Sequence, residues 1–305
     1  MVKYPLLTII TPCLNRAEYV SEAIASVLIQ NYEYVEHIIV DGGSTDGTLD
    51  VLNNYPNLQV ISEPDQGMYD AINKGVAIAN GEIIGFLNTD DYYEPYVFDL
   101  IAQQFQSHPQ IDAVAGGADV FERDTQGNQK EITVYKSPSH GDLLHCVTVG
   151  TPIFNAWFFK EKTIKQIGKF NTNYLYTSDR EFLIRFYFES FNFVSLDKIV
   201  YHYRQHPSSI TVSGKFDGEA PWIFETIELA QQYLEYADLN GIERNLFVTW
   251  HSQLTSDQTI TALQRKGLRH AIIYSRTGLK YDHQWRKVFL KRIISGIRRG
   301  LKLTS

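Results

Sequence analysis

Four aspartates stand where predicted strands end, and their placement is the strongest chemical signal in the sequence. Asp41 follows the second predicted strand, Asp65 follows the third, and Asp90 with Asp91 follows the fourth. The carboxyl ends of parallel strands meet at one edge of an open sheet, and ligands bind in the crevice outside that edge. Aspartate is also a common turn residue, but carboxylates at three neighbouring strand ends together predict a polar binding crevice.

The adjacent pair Asp90 and Asp91 predicts a divalent cation. Neighbouring carboxylates repel each other, and burying both without a cation would keep one of them protonated. Mg²⁺ or Mn²⁺ removes that conflict, because both ions bind carboxylate and diphosphate oxygens. Such an ion would stabilise the charge that grows on a departing nucleoside diphosphate.

The segment Asp41–Gly47 predicts a turn that opens a helix. Its glycines suit a backbone with positive φ, and we expect Ser44 or Thr45 to be the N-cap. The same loop can carry a second function, with Asp41 accepting a hydrogen bond from the imide N–H of uracil or thymine. The structural and the binding interpretation are compatible with each other.

The elements that must position these residues alternate between short apolar strands and amphipathic helices in the first part of the chain. This alternation implies a parallel sheet with right-handed crossovers. Further on, the pattern predicts a β-hairpin over residues 111–135 and a last strand over 196–204. We therefore predict an α/β domain over residues 1–215 and a helical C-terminal extension over 216–305.

Composition and charge exclude several classes of protein. Apolar residues make up 44% and charged residues 21%, as in ordinary globular chains. Residues 261–305 hold 12 Lys/Arg and one acid, a charge of +11, so the rest of the chain carries −18 within the net −7. The acidic body disfavours nucleic acid as a partner. Cys13 and Cys146 lack disulfide or zinc spacing, which indicates a reducing compartment.

The basic C-terminal region predicts an amphipathic helix over residues 286–302. At 100° per residue one face of that helix collects Leu290, Ile293, Ile294, Ile297 and Leu301. Such a helix can lie on an anionic membrane surface. The alternative is a terminal helix that packs on its own domain or on the second subunit of a homodimer. We expect a cytoplasmic protein, peripheral on the inner face of the plasma membrane.

An ordered series of motifs resembles the inverting family 2 glycosyltransferases with the GT-A fold. The series comprises Thr8–Arg16, Val40–Thr48, Ser62–Gly75 and Gly81–Asp91. The chain looks most similar to members that build bacterial surface polysaccharides such as O-antigen or exopolysaccharide units. The resemblance implies a GT-A fold, a Rossmann-like, mostly parallel sheet flanked by helices. It also implies a UDP- or dTDP-sugar donor and a saccharide or lipid-linked acceptor.

The resemblance implies roles for individual residues around the nucleotide. Asp65 would face the base or the ribose, and Asn73 and Lys74 match a family position near the nucleotide. The residues that the family pattern assigns to nucleotide binding are Thr11, Pro12, Asn15, Asp41, Asp65, Asn73, Lys74 and Asp90.

The resemblance also implies the metal ligands and the general base. Asp90, Asp91 and His206 match positions that hold Mn²⁺ or Mg²⁺, and Asn88 stands where the family usually has another acid. Inversion needs a carboxylate that deprotonates the acceptor hydroxyl. Asp179 matches the family's acidic catalytic motif, which implies that it is this general base.

Two alternative functions stay open at this stage. A nucleotidyltransferase also places carboxylates and a metal at strand ends, but it typically carries a glycine-rich basic loop after the first strand. Residues 11–16 contain no glycine. A non-catalytic module that binds nucleotide sugars would have no use for Asp179 as a base.

Overall fold

The computed structural model describes residues 4–206, 209, 221–235 and 238–302, with side chains up to residue 295. Within these residues, none of the helices is both long and apolar enough to cross a membrane.

The chain divides into two compact units. Among the described residues, the first comprises 4–143, 151–206 and 209, and the second comprises 144–150, 221–235 and 238–302. The predicted domain boundary between residues 215 and 216 lies outside the described residues, so it stays a prediction.

The first unit is built on one sheet of nine strands. Their order across the sheet is β3-β2-β1-β4-β8-β6-β9-β5, with β7 paired to β6. The strands are β1 (Leu7–Cys13), β2 (Val35–Asp41), β3 (Gln59–Ser62), β4 (Ile83–Phe86), β5 (Tyr92–Tyr93), β6 (Ala113–Arg123), β7 (Gln129–Tyr135), β8 (Trp157–Lys160) and β9 (Phe193–Arg204).

The first four strands are parallel, as their alternation with helices predicts. β1 lies in the middle and pairs through Leu7 with Val35 of β2 and with Ile83 of β4. All seven residues of β1 are buried or nearly so, because helices cover both faces of a parallel sheet. The carboxyl ends of these strands therefore lie side by side at one edge.

Beyond β4 the sheet is mixed, which the sequence pattern does not show. β8 runs antiparallel between β4 and β6, and the two-residue β5 runs antiparallel to β9. The predicted hairpin is confirmed as β6 and β7, and β6 also pairs in parallel with β9. β8 is only four residues long, and periodicity does not distinguish so short an apolar run from part of a helix.

Eleven α-helices lie within the described residues. Gly75 lets one of them, α3, approach β1 closely, since a Cβ there would lie 2.5 Å from Cγ2 of Ile10. The helices are α1 (Val20–Leu28), α2 (Thr48–Leu52), α3 (Met68–Ile78), α4 (Phe98–Ser107), α5 (Leu143–Val147), α6 (Glu161–Ile167), α7 (Ser178–Phe188), α8 (Pro221–Glu235), α9 (Gly241–Arg265), α10 (Leu268–Tyr281) and α11 (Trp285–Lys302).

An aromatic cluster fixes α7 against the sheet. Phe182 of α7 stacks on Phe170 at 4.5 Å between ring centroids and meets Phe159 of β8 edge-on at 5.5 Å. Phe170 in turn meets Phe86 of β4 edge-on and stacks on Tyr69 of α3. Each such pair stabilises the fold by about 0.5–1.5 kcal/mol beyond the contribution from burying the rings. The start of α7 is thereby held relative to the end of β4.

The second unit is helical, as the sequence predicts for this region. α9 begins at a capping box, in which the Asn240 side chain accepts the N–H of Glu243 and the Glu243 carboxylate accepts the N–H of Asn240. Ile227, Ala230 and Leu234 of α8 are buried.

Candidate active site

The loop between β2 and α2 is organised by Asp41. The Asp41 carboxylate is fully buried and accepts hydrogen bonds from the N–H groups of Gly43 and Ser44 and from the hydroxyls of Ser44 and Ser62. Burial alone would raise the pKa of this carboxyl, but the bonds from Ser44 and Ser62 outweigh it, so the pKa is lowered. Asp41 is therefore ionised and holds the loop in shape.

The loop after β1 packs directly on this Asp41 loop. Asn15 has a φ of 53°, donates its N–H to Oγ of Ser44 at 2.7 Å and accepts the N–H of Thr45 at 2.9 Å. The prediction that Ser44 or Thr45 caps α2 is wrong. α2 starts after Gly47, and Asp46 accepts the N–H of Thr48 at 3.0 Å. The serine and the threonine instead join the two loops.

Thr11 and Pro12 lie in the last part of β1. The Thr11 side chain is buried and its hydroxyl lies 2.9 Å from Nε2 of His37 on β2. Burial lowers the pKa of His37 to about 3, so this ring is neutral and serves as an uncharged partner. Pro12 is half-buried beside Val40 of β2. Both residues lie near the carboxyl end of β1, beside the carboxyl end of β2.

Asp65 lies against the Asp41 loop. Its Oδ1 accepts the N–H of Gly67 at 2.9 Å, and its Oδ2 would lie 2.6 Å from a Cβ placed on Gly42. Any side chain at position 42 would therefore displace the Asp65 carboxylate. The third strand end is brought next to the second, as the sequence predicts.

Asn73 and Lys74 on α3 are both engaged by the protein. The Asn73 amide makes two hydrogen bonds of 2.9 Å with the backbone N–H and C=O of Phe170. Lys74 donates to the carbonyl of Pro64 at 2.9 Å and pairs with Glu63 at 2.8 Å. Asn73 thus fixes the segment that precedes α7, and Lys74 fixes the Asp65 turn.

The two neighbouring aspartates after β4 have different environments. Asp91 is 1% exposed, and its carboxylate accepts from the Tyr201 hydroxyl at 2.6 Å, the Arg204 N–H at 2.8 Å and the Asn88 amide at 3.1 Å. Burial, and then the charge of Asp90, raise the pKa of Asp91 well above its usual range. These hydrogen bonds connect the segment after β4 to β9 and keep the Asp91 carboxylate away from solvent.

Asp90 is the more accessible aspartate of the pair, and it lies beside His206. Nε2 of His206 is 2.9 Å from Oδ2 of Asp90, and the two side chains are 8% and 19% exposed, respectively. The structure therefore brings together two of the three predicted metal ligands, and Asp91 faces inward. Among the described residues, no three His, Cys, Asp or Glu side chains are grouped to hold a metal ion by themselves.

The Asp90–His206 pair fits a metal ion that a bound diphosphate would also coordinate. A carboxylate oxygen and an imidazole nitrogen are ligands for Mn²⁺, and Mg²⁺ needs one or two carboxylates plus substrate phosphates. Two protein ligands leave coordination positions for diphosphate oxygens and water. The two protein ligands therefore suit a metal ion shared with a diphosphate better than a metal ion enclosed by protein ligands alone.

Tyr19 supports His206, a contact that no sequence motif indicates. The Tyr19 ring stacks on the His206 imidazole at 4.9 Å between ring centroids, and the Arg204 guanidinium lies 5.4 Å from the centroid of the Tyr19 ring. Arg204 also pairs with Glu22 on α1. The aromatic ring thus joins the start of α1 to the end of β9 beside the Asp90–His206 pair.

His202, four residues before His206, contacts other partners. Its two ring nitrogens lie 2.5 Å from Oδ1 of Asp119 and 2.8 Å from Oε2 of Glu94, and the ring stacks on Tyr92 at 4.5 Å. Burial opposes protonation, but the bonds to Asp119 and Glu94 outweigh it and raise the pKa of His202. His202 therefore ties β5, β6 and β9 together.

Asp179 is the second residue of α7 and is partly exposed. Its Oδ1 accepts the N–H of Arg180 at 2.7 Å, and the hydroxyl of Tyr69 on α3 donates to the same carboxylate. Desolvation raises the pKa of Asp179 despite these bonds. Glu181 points elsewhere, because it pairs with Arg185 at 2.8 Å. The helix therefore presents one carboxylate, not two, beside Tyr69.

More than half of the chain matches a known protein family. The family model described as glycosyl transferase family 2 matches residues 8–185, more than half of the chain. A PGL/p-HBAD biosynthesis glycosyltransferase from Mycobacterium bovis is 33% identical over 187 residues, which cover 59% of this chain and 69% of that relative.

Solved structures agree on the fold. S. aureus TarS in complex with UDP-GlcNAc has a TM-score of 0.63 at 15% identity, and the match covers 97% of this chain and 92% of TarS 1-349. The mannosyltransferase PcManGT from Pyrobaculum calidifontis, in complex with GDP-Man and Mn²⁺, has a TM-score of 0.56 at 16% identity, covering 95% and 84%. The predicted GT-A fold class is confirmed.

Proposed function

This chain belongs to glycosyl transferase family 2 and is a glycosyltransferase, and we propose that it transfers one sugar from a nucleotide-sugar donor with inversion. The observation that carries the proposal is the Asp90–His206 pair, 2.9 Å apart at the end of the fourth strand. Family membership favours this function over a nucleotidyltransferase or a non-catalytic binding module.

The donor that we propose is a UDP- or dTDP-sugar bound over the ends of β1, β2 and β3. The buried Thr11 and Asp41 and the half-buried Pro12 would form the floor of the nucleoside pocket, with Asn15 and Asp65 at its rim. Asn73 and Lys74 would act by holding the adjoining segments. TarS with UDP-GlcNAc and PcManGT with GDP-Man support a nucleotide-sugar donor.

We propose that Asp90 and His206 hold Mn²⁺ or Mg²⁺ together with the donor diphosphate. When bound, such an ion stabilises negative charge on the departing nucleoside diphosphate. Asp91 would act through the backbone, because it fixes the Asp90 loop to β9. The Mn²⁺ in the complex of PcManGT supports the choice of ion.

The test of the metal site is calorimetry of UDP binding with and without Mn²⁺. Asp90→Asn and His206→Ala should each remove most of the Mn²⁺-dependent gain in affinity and leave metal-free binding unchanged. His202→Gln is the matched control, since this histidine bonds to Asp119 and Glu94 instead. Equal UDP affinities with and without Mn²⁺ in the wild-type protein would refute the metal site.

We propose that Asp179 is the general base that deprotonates the acceptor hydroxyl. Its raised pKa makes it a stronger base than an ordinary aspartate. Tyr69 would orient the carboxylate through its hydrogen bond. Because a base must be ionised, the rate should rise with pH through the raised pKa of Asp179.

The test of the base compares Asp179→Asn with Glu181→Gln, measured as UDP release from UDP-GlcNAc with saccharide acceptors. The first variant should lower kcat by about 10²–10⁴-fold and retain UDP binding. The second breaks only the ion pair with Arg185 and should stay near wild-type. Full activity in Asp179→Asn would remove this residue from the mechanism.

For the cellular role, we propose assembly of a bacterial surface polysaccharide on a saccharide or lipid-linked acceptor. The PGL/p-HBAD relative supports glycan assembly in bacteria. We propose a cytoplasmic location and a homodimer, which fractionation and sedimentation velocity would test. Contact with the membrane is a separate inference that rests on the C-terminal helices.

A further inference from the structure

The last helix, α11, is anchored to its neighbours by one side. Trp285 is 3% exposed, and its Nε1 donates to Oγ1 of Thr255 on α9 at 2.9 Å. Phe289 stacks on Trp285 at 5.1 Å, and Arg292 pairs with Asp257 of α9. These contacts, at positions 285, 289 and 292, define the packing side of the helix.

The opposite side of α11 carries large apolar residues that are exposed. At 100° per residue, Leu290 and Ile294 lie about 140° and 180° from Trp285. Their exposed fractions are 57% and 51%. The sequence alone leaves open whether this apolar face packs on its own domain. In the described part of α11, more than half of each of these two side chains stays in solvent.

Basic residues border this exposed strip of Leu290 and Ile294. Lys287 and Lys291 lie on one side of it and Arg286 on the other, and all three are exposed. The last 45 residues carry 12 Lys/Arg and one acid, whereas the rest of the chain is strongly acidic. An apolar strip edged by cations has the charge and shape of a helix that lies in the interface of an anionic bilayer.

We propose that the strip of Leu290 and Ile294 docks on a membrane surface that contains anionic lipid, with Arg286, Lys287 and Lys291 contacting the headgroups. An acidic protein would attract the cations but would not require two large apolar side chains on the same exposed face. A lipid interface uses both features at once. Docking by α11 would hold the protein at the surface where lipid-linked molecules are found.

The test is co-sedimentation of the full chain with vesicles of phosphatidylcholine alone or with about one third phosphatidylglycerol. Wild-type protein should bind the anionic vesicles and detach as salt is raised. Lys287→Gln with Lys291→Gln should weaken binding by about 25-fold, at about fivefold for each lysine. Leu290→Ser with Ile294→Ser should weaken it by about tenfold or more.

The matched control is Leu28→Ser with Ile29→Ser, which removes two residues of similar exposure, 56% and 48%, from the first unit. This variant should bind vesicles like the wild type. The assay does not depend on sugar transfer, so the outcome is independent of the proposed function.

Three results would overturn the proposal. The first is equal binding of wild-type protein to neutral and anionic vesicles. The second is unchanged binding after Leu290→Ser with Ile294→Ser. The third is conversion of a dimer to a monomer by that double change, in a protein that does not bind vesicles. That result would make the strip a contact between two copies of the chain.

Discussion

Replacing Tyr201 with phenylalanine should test whether Asp91 is a structural carboxylate. The Tyr201 hydroxyl donates to Asp91 at 2.6 Å, and it accepts from the amide of Asn155 at 2.7 Å and the N–H of Asn88 at 3.3 Å. A hydrogen bond to a buried charged group contributes about 1.5–3 kcal/mol. With two further donors losing their acceptor, we expect Tyr201→Phe to lower the free energy of unfolding by about 2–4 kcal/mol.

Tyr93→Phe is the matched control for this change. Tyr93 is also buried, but its hydroxyl donates to the neutral carbonyl of Phe86 at 2.7 Å. The expected loss is about 1 kcal/mol. Urea unfolding of both variants, followed by circular dichroism, measures the difference, while calorimetry with UDP checks that the nucleotide still binds.

The pH dependence sharpens the comparison. A carboxyl whose pKa is raised by folding stabilises the protein at low pH, and this contribution is lost as pH rises through the folded pKa. Tyr201→Phe should raise the pKa of Asp91 further, because the ionised carboxylate loses a donor. The deficit should therefore grow as the pH is raised. A deficit equal to that of Tyr93→Phe, or one independent of pH, would refute the structural role of Asp91.

Three further predictions concern the loops and the Asp90–His206 pair. Asp41→Asn should destabilise the protein by about 2–4 kcal/mol at pH 7. The folded pKa of Asp41 is lowered, so its carboxylate stabilises the fold above about pH 4 and this stabilisation is lost in more acidic solution. In urea titrations the stability deficit of Asp41→Asn should therefore shrink as the pH falls. Asn73→Ala should cost about 1–3 kcal/mol by removing two backbone contacts. Lys74→Ala breaks only a solvent-screened ion pair and should cost less than Asn73→Ala; equal losses would contradict the assignment. Tyr19→Ala should weaken the apparent Mn²⁺ affinity in the presence of UDP by up to about tenfold, because an aromatic stack adds about 0.5–1.5 kcal/mol. Tyr19→Phe keeps the ring and should retain the wild-type affinity. Identical titrations of both variants would mean that the ring does not position His206.

The sequence predicts well what local pattern determines. The parallel strands β1–β4, the hairpin β6–β7 and the polar strand ends all follow from alternation, turn residues and the edge rule for parallel sheets. The motif order identifies the family because several weak signals occur in the right sequence. These features depend on residues close together in the chain.

The sequence does not predict which of two adjacent aspartates faces the site. Asp90 and Asp91 are the same residue type at adjacent positions. Their environments differ because Tyr201, 110 positions beyond Asp91 in the chain, donates a hydrogen bond to Asp91. Tertiary packing also separates the two nearby histidines, because His202 contacts Asp119 and Glu94 whereas His206 contacts Asp90. Side-chain direction at these places depends on tertiary packing, which periodicity does not encode.

The link from Asp91 to β9 has a consequence for synthesis on the ribosome. Asp91 reaches its partners Tyr201 and Arg204 across separations of 110 and 113 residues, so a loop of that length must close before the proposed metal site can form. Closing it costs only logarithmically more than a short loop, but it cannot happen until β9 has been made. A nascent chain that already carries every aspartate of the crevice therefore has no complete donor site. We expect sugar transfer to begin only after the last strand has left the exit tunnel.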